Sequence, residues 1–67
     1  MPTGKVKWFD SIKGYGFIEP DDGGRDVFLH ATVLQRAGVI DLKQGQQVGF
    51  EMISDRGSMK AATLRIL

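Results

Sequence analysis

Two aromatic-rich runs decide the fold of this chain: Lys13-Gly14-Tyr15-Gly16-Phe17-Ile18 and Val27-Phe28-Leu29-His30. If each run is a β-strand, its side chains alternate between two faces, so the aromatic rings and the imidazole lie outside while the aliphatic side chains lie inside. A row of exposed rings adds nothing to the stability of a small domain, whereas unpaired bases stack on such rings. The two runs therefore predict a sheet with an aliphatic inner face and an aromatic outer face.

Length and composition limit what the chain can be. At 67 residues it is expected to form one small domain, residues 1–67. A domain of this size buries only roughly 60% of its unfolded surface, which leaves little room for an enzyme-like cleft. The chain has no cysteine and one histidine, so we expect no disulfide, no metal site and no cofactor.

No segment of the sequence indicates export or membrane insertion. The N-terminal stretch 1–5 has no apolar core, and no apolar run approaches the length that spans a bilayer. We therefore expect a soluble cytoplasmic protein, a monomer with no membrane partner and no small-molecule substrate.

The distribution of charge is more informative than its sum. Nine Lys and Arg against eight Asp and Glu give a formal net charge of only +1. Three lysines, at positions 5, 7 and 13, lie among the aromatic residues near the N-terminus, where Asp10 is the only acid. Lysines alone are usually a solvated strand face, but lysines interleaved with rings favour a nucleic-acid partner.

The rest of the chain also favours short strands. The predicted strands are Gly4–Asp10, Gly14–Glu19, Asp26–His30, Gln47–Ile53 and Lys60–Leu67. Turns are expected at 20–25 and 55–58, and a helical turn at 31–36, ended by Gly38.

Five antiparallel strands in so short a chain would leave exposed sheet edges, and closure into a barrel removes them. The pattern thus predicts an all-β, five-stranded antiparallel OB-fold barrel. The side chains predicted to face inward are Val6, Ile18, Val27, Leu29, Val48, Phe50, Met52, Leu64 and Ile66.

Three motifs, Gly4–Phe9 (GKVKWF), Lys13–Ile18 (KGYGFI) and Asp26–His30 (DVFLH), together resemble the cold-shock domain family. The resemblance covers essentially the whole chain and is to the compact bacterial cold-shock proteins. It continues through Gly45-Gln46, Val48–Glu51, Arg56-Gly57 and Ala61-Ala62. It implies a protein that binds single-stranded RNA or DNA and acts as an RNA chaperone without ATP, often in the response to cold stress.

Periodicity and the resemblance together predict the binding residues. The rings would stack bases and the lysines would meet phosphates. The predicted nucleic-acid-binding residues are Lys7, Trp8, Phe9, Asp10, Lys13, Tyr15, Phe17, Asp26, Phe28, His30, Arg56 and Lys60.

Some of these residues have a second interpretation. Strict alternation places Phe9 on the face opposite Trp8, and only the resemblance brings it to the site, through a bend in the first strand. Asp26 either accepts a hydrogen bond from a base or is a plain loop-edge carboxylate. Arg56 and Lys60 either contact a phosphate or base, or are solvent-exposed cations.

The chain departs from the family pattern at three positions. Asp10 stands where asparagine is usual and places a negative charge near the expected phosphate path. Ala31 and Val39 stand where the family commonly carries aromatic residues. We therefore expect fewer stacked bases and weaker binding than in a member with all of these groups.

Two hypotheses of different classes follow. In the first, the chain binds single-stranded nucleic acid. In the second, it is a small barrel whose aromatic face docks a protein, because proline-rich ligands also bind aromatic grooves. The interleaved lysines favour the first. No catalytic residue is predicted, since His30 has no partner suited to general acid-base chemistry.

Overall fold

The computed structural model describes residues 2–67, which form five strands and one short helix. The elements are β1 (Thr3–Asp10), β2 (Tyr15–Pro20), β3 (Val27–His30), α1 (Ala31–Ala37), β4 (Gln47–Asp55) and β5 (Ser58–Ile66). No helix in the part of the chain that the structure describes is long and apolar enough to cross a membrane.

The strands close into a barrel in the order β1-β2-β3-β5-β4. Each contact between neighbours is antiparallel except that between β3 and β5, which is parallel and brings Phe28 beside Lys60. Because the sheet is closed, every strand pairs with a neighbour on both sides over at least part of its length. The predicted five-stranded OB-fold barrel is confirmed.

Helix α1 lies in the crossover between β3 and β4. It begins after His30, whose side chain accepts a hydrogen bond from the Thr32 N–H, and it ends at Gly38. Val33 and Leu34 on its inner face are buried in the core. This helix, one residue longer than the predicted turn, therefore supplies apolar surface that the short strands alone lack.

The barrel core is aliphatic with a single ring. Its buried members are Val6, Ile18, Val27, Leu29, Val33, Leu34, Leu42, Val48, Phe50, Ala61 and Leu64. Seven of the nine side chains predicted to face inward are among them.

The predictions for Met52 and Ile66 are wrong, because these side chains are 36% and 42% exposed. Met52 lies where the β4-β5 hairpin projects beyond the barrel, since every residue in the range 51–58 is exposed. Ile66 is the last residue of β5. Both therefore lie where the barrel no longer covers the inner side of the strand.

Strict alternation along the predicted strand Lys60–Leu67 places Ala61 on the face opposite Leu64, but Ala61 is buried. The pairing of β4 with β5 shifts by one residue: Glu51 pairs with Thr63, whereas Met52 pairs with Ala61. Ala62 is thus an extra, unpaired residue, and an extra residue reverses the alternation of faces.

The hairpin that joins β4 and β5 is longer than predicted. Asp55 and Ser58 still pair directly, across a two-residue turn in which Arg56 and Gly57 have φ of 52° and 81°. Positive φ at both central positions matches the twist of paired strands, so pairing continues to the turn itself.

Candidate nucleic-acid interface

A β-bulge in β1 decides which aromatic residues face outward. Val6 pairs with Ile18 and Trp8 pairs with Phe17, so Lys7 is the extra residue between them. Regular alternation from the buried Val6 would turn Trp8 inward. The bulge at Lys7 instead places Trp8 outside, directly opposite Phe17.

Five side chains form a continuous outer surface, which we call the ring surface: Trp8, Tyr15, Phe17, Phe28 and His30. The ring centroids of Trp8 lie 5.4 Å from those of both Tyr15 and Phe17. Phe28 lies 5.9 Å from Tyr15, 5.8 Å from Phe17 and 6.3 Å from His30. These separations are typical of aromatic pairs in contact, so the rings hold one another in place.

The pairing of β2 with β3 explains why these rings lie together. Tyr15 pairs with His30, and Phe17 pairs with Phe28. Residues that are directly opposite in an antiparallel pair share a face. The aliphatic neighbours in the same two strands are correspondingly buried.

Phe9 lies apart from the ring surface. It is half-buried against the core and takes part in none of the ring contacts among residues 2–67. Gly16 lies opposite, and a Cβ at that position would come within 2.7 Å of Phe9 Cα. The close approach requires glycine there and lets the Phe9 ring turn inward.

The lysine in the bulge forms an ion pair. Lys7 Nζ donates to Asp26 Oδ2 at 2.9 Å. This hydrogen bond, and then the charge of Asp26, raise the pKa of Lys7. The pair is exposed and therefore weak. The Asp26 carboxylate is nevertheless bound to Lys7 rather than open toward a base.

The remaining predicted cations differ in their surroundings. Lys60 Nζ lies 2.9 Å from Asp55 Oδ2. Lys13 and Arg56 have no ion pair within the described range 2–67. Two predicted cations are thus partly neutralised and two are open to an anion.

Asp10 has a local role. Its Oδ1 accepts hydrogen bonds from the N–H groups of Ile12 at 2.9 Å and Lys13 at 3.0 Å. These bonds order the loop that joins β1 to β2. An asparagine offers the same carbonyl acceptor, so the negative charge is what this chain adds.

The hydrogen bonds of His30 fix the orientation of its ring. Nδ1 accepts from the Thr32 N–H at 3.2 Å and lies 3.0 Å from Thr32 Oγ1. Since Nδ1 is the acceptor, the neutral ring carries its proton on Nε2. The exposed edge of His30 is therefore a hydrogen-bond donor.

Neither of the two positions at which the resemblance implies aromatic residues extends the ring surface. Ala31 is half-buried at the start of α1, where its N–H donates to Gly14 O at 2.9 Å. Val39 packs against the core. Neither adds a ring, so the ring surface ends at His30.

An open groove of about 450 Å³ runs along the ring surface toward the β4-β5 hairpin. Its lining combines rings with charged side chains: Phe17, Arg25, Asp26, Phe28, Gly57, Ser58, Met59 and Lys60. Arg25 and Met59 were not predicted, because the parallel contact between β3 and β5 that brings them here leaves no local signal in the sequence. No group of three or more His, Cys, Asp or Glu suited to a metal occurs in residues 2–67.

Comparison with known proteins gives one consistent family. Residues 2–67 match the 'Cold-shock' DNA-binding domain. The chain is 51% identical over 67 residues to a probable cold shock protein of Sinorhizobium fredii, with 97% of each chain covered. It is 50% identical over 62 residues to a cold shock protein of Rhizobium meliloti, covering 92% of this chain and 90% of that one. It is 48% identical over 64 residues to a cold shock protein of Geobacillus stearothermophilus, with 96% of each covered.

Proposed function

The chain belongs to the cold-shock domain family, whose members bind single-stranded nucleic acid. We propose that the bases of a bound single strand stack on the ring surface. The observation that carries this proposal is the set of five rings in mutual contact on one outer face. Every base has a π-face, so such a surface accepts unpaired bases of any sequence. A duplex hides its bases in the stack and offers nothing to these rings.

Phosphates are bound at the border of the ring surface. Lys13 and Arg56 are open to an anion, and Lys7 becomes available once a phosphate replaces Asp26 as its partner. Binding through these cations releases counterions, so affinity falls as salt rises. The log-log slope is about 0.7 for each phosphate neutralised on a single strand.

The same binding mode accounts for action as an RNA chaperone. A protein that captures unpaired segments competes with intramolecular base pairing and so keeps RNA open, with no need for ATP. No chemical step is involved, and the family is one of binding domains. The ring surface ends at His30, so the chain holds fewer bases than a relative with rings at positions 31 and 39.

The indole of Trp8, 39% exposed, provides the direct test. Titration with a pyrimidine-rich single strand should quench its fluorescence, with an affinity that falls as salt rises. A duplex of the same sequence should bind poorly. Equal competition by the duplex, or no quenching by any single strand, overturns the proposal and favours a protein ligand for the ring surface.

A further inference from the structure

A second groove opens on the α1 side of the ring surface, and we call it the helix groove. It has a volume of about 330 Å³, within the range of roughly 300–1,000 Å³ that is common for ligand clefts. Phe28 and His30 form one wall, Arg36 of α1 another and Ile53 of β4 a third. Because it shares Phe28 and His30 with the ring surface, it is a direct continuation of that surface.

The charge of the helix groove suits a phosphate. Its lining contains Arg36 and Lys60 but no carboxylate, whereas the groove along the ring surface contains Asp26. Lys60 is paired with Asp55, so Arg36 is the cation that matters here. Arg36 is exposed in the last turn of α1 and has no ion pair within the described part of the chain, residues 2–67. Its guanidinium can therefore contact a phosphate without first breaking another contact.

The shape of the helix groove suits a base. The exposed Ile53 side chain and the edge of Phe28 provide apolar surface, and Ala61 and Ala62 contribute only small side chains to the lining. His30 lines the same groove, and its Nε2 is available to donate a hydrogen bond.

We infer that the helix groove binds one further nucleotide of the single strand, with its base against Ile53 and its phosphate at Arg36. This inference rests on the proposed function, because the strand reaches the groove only from the ring surface. A strand that leaves His30 toward Ala31 meets no ring. A strand that turns over α1 instead meets the apolar side chain of Ile53 and the guanidinium of Arg36.

The test compares Arg36→Gln with Arg65→Gln in the full chain. Arg65 is exposed on β5, lines none of the grooves described and provides the same change in charge. The probes are oligothymidylates of increasing length, titrated at several salt concentrations. Arg36→Gln should weaken binding of the longer strands by about two- to fivefold, as expected for an exposed ion pair. It should also reduce the salt slope by about 0.7.

Two further comparisons separate the possible outcomes. Arg36→Lys should retain the salt slope, and the loss in Arg36→Gln should vanish with strands too short to pass His30. If the unchanged protein binds and the two glutamine variants behave alike, the helix groove is not a nucleotide site. If the unchanged protein binds no single strand, the proposed function itself fails.

Discussion

The ammonium of Lys7 and the carboxylate of Asp26 lie 2.9 Å apart at the border of the ring surface. Lys7 is the bulged residue of β1, and Asp26 immediately precedes β3. The bulge thus does two things: it turns Trp8 outward and it brings a cation to the carboxylate that faces the same side. A phosphate at Lys7 must compete with that carboxylate.

We predict that Asp26→Asn tightens binding of single strands. Removing the carboxylate leaves Lys7 free to bind a phosphate. Affinity at low salt should rise about two- to fivefold, and the log-log salt slope should become steeper by about 0.7. Fluorescence titration of Trp8 measures both. Asp22→Asn is the matched control, since Asp22 accepts a local hydrogen bond from the Gly24 N–H and has no ion pair among residues 2–67. Weaker binding by Asp26→Asn would instead show that Asp26 accepts a hydrogen bond from a base.

We predict that Asp10→Asn also tightens binding. Asparagine retains the acceptor for the Ile12 and Lys13 N–H groups, so the loop keeps its shape while one negative charge disappears. The gain should shrink as salt rises, because it is electrostatic. Asp41→Asn serves as control: its Oδ1 accepts from the Leu42 N–H at 2.8 Å, a bond of the same local kind. An equal gain in both variants would show that the effect comes from the net charge of the protein and not from the position of Asp10.

We predict that Phe28→Ala changes the affinity for single strands more than Asp26→Asn or Asp10→Asn does. The Phe28 ring contacts three others, Tyr15, Phe17 and His30, so its loss interrupts the ring surface at its centre. Loss of one stacking ring costs about 1–3 kcal/mol, or roughly five- to 150-fold in affinity. The salt slope should stay the same, because no phosphate contact is removed. A changed slope with unchanged affinity would mean that bases do not stack there.

The difference between Leu64 and Met52 tests where the barrel core ends along the β4-β5 hairpin. Leu64 is 8% exposed and Met52 is 36% exposed, although both were predicted to face inward. Leu64→Ala should lower the free energy of unfolding by about 2–5 kcal/mol, which is the usual cost of a buried leucine. Met52→Ala should cost much less, since part of that side chain is already in water. Thermal and denaturant unfolding measure the two variants. Equal losses would place Met52 in the core.

The ring surface could be predicted because β2 and β3 are regular. Phe17 and Phe28 pair directly, so a period of two read along each strand also holds across the pair. The same period fails at Ala61, because the extra residue Ala62 reverses the faces. Nothing in the local sequence around Ala62 marks a bulge, which depends on the partner strand.

The charge pattern of the site could be predicted only in part. The lysines near the rings are evident from the sequence, but Lys7 and Asp26 are far apart in the chain, and their contact depends on the barrel. Arg36 gave no signal either, since it is a lone cation in a helical turn. Ion pairs and grooves depend on which strands become neighbours in the closed barrel. The face on which a side chain lies follows from alternation along its own strand and can therefore be predicted from the sequence.

The pKa of Asp21 should govern part of the acid sensitivity of the fold. Hydrogen bonds from Thr3 Oγ1 and Gln47 Nε2, both 2.7 Å long, lower the pKa of this carboxyl from its ordinary 3.8. A group whose pKa is lower in the folded state stabilises the fold above its unfolded pKa. That contribution is lost as the pH falls through the folded pKa. The stability of the protein relative to Asp21→Asn, which cannot titrate there, should therefore decline as the pH falls below about 3.8.

Thr3→Val isolates the larger cause of this shift. Valine has the shape of threonine but no hydroxyl donor, and the backbone bond from the Asp21 N–H to Thr3 O, 3.0 Å long, remains possible. The pKa of Asp21, followed by NMR titration of its carboxyl carbon, should rise toward 3.8 in this variant. Gln47 still donates, so part of the lowering should persist. An unchanged pKa in Thr3→Val would show that the hydroxyl bond does not hold Asp21 in its charged form.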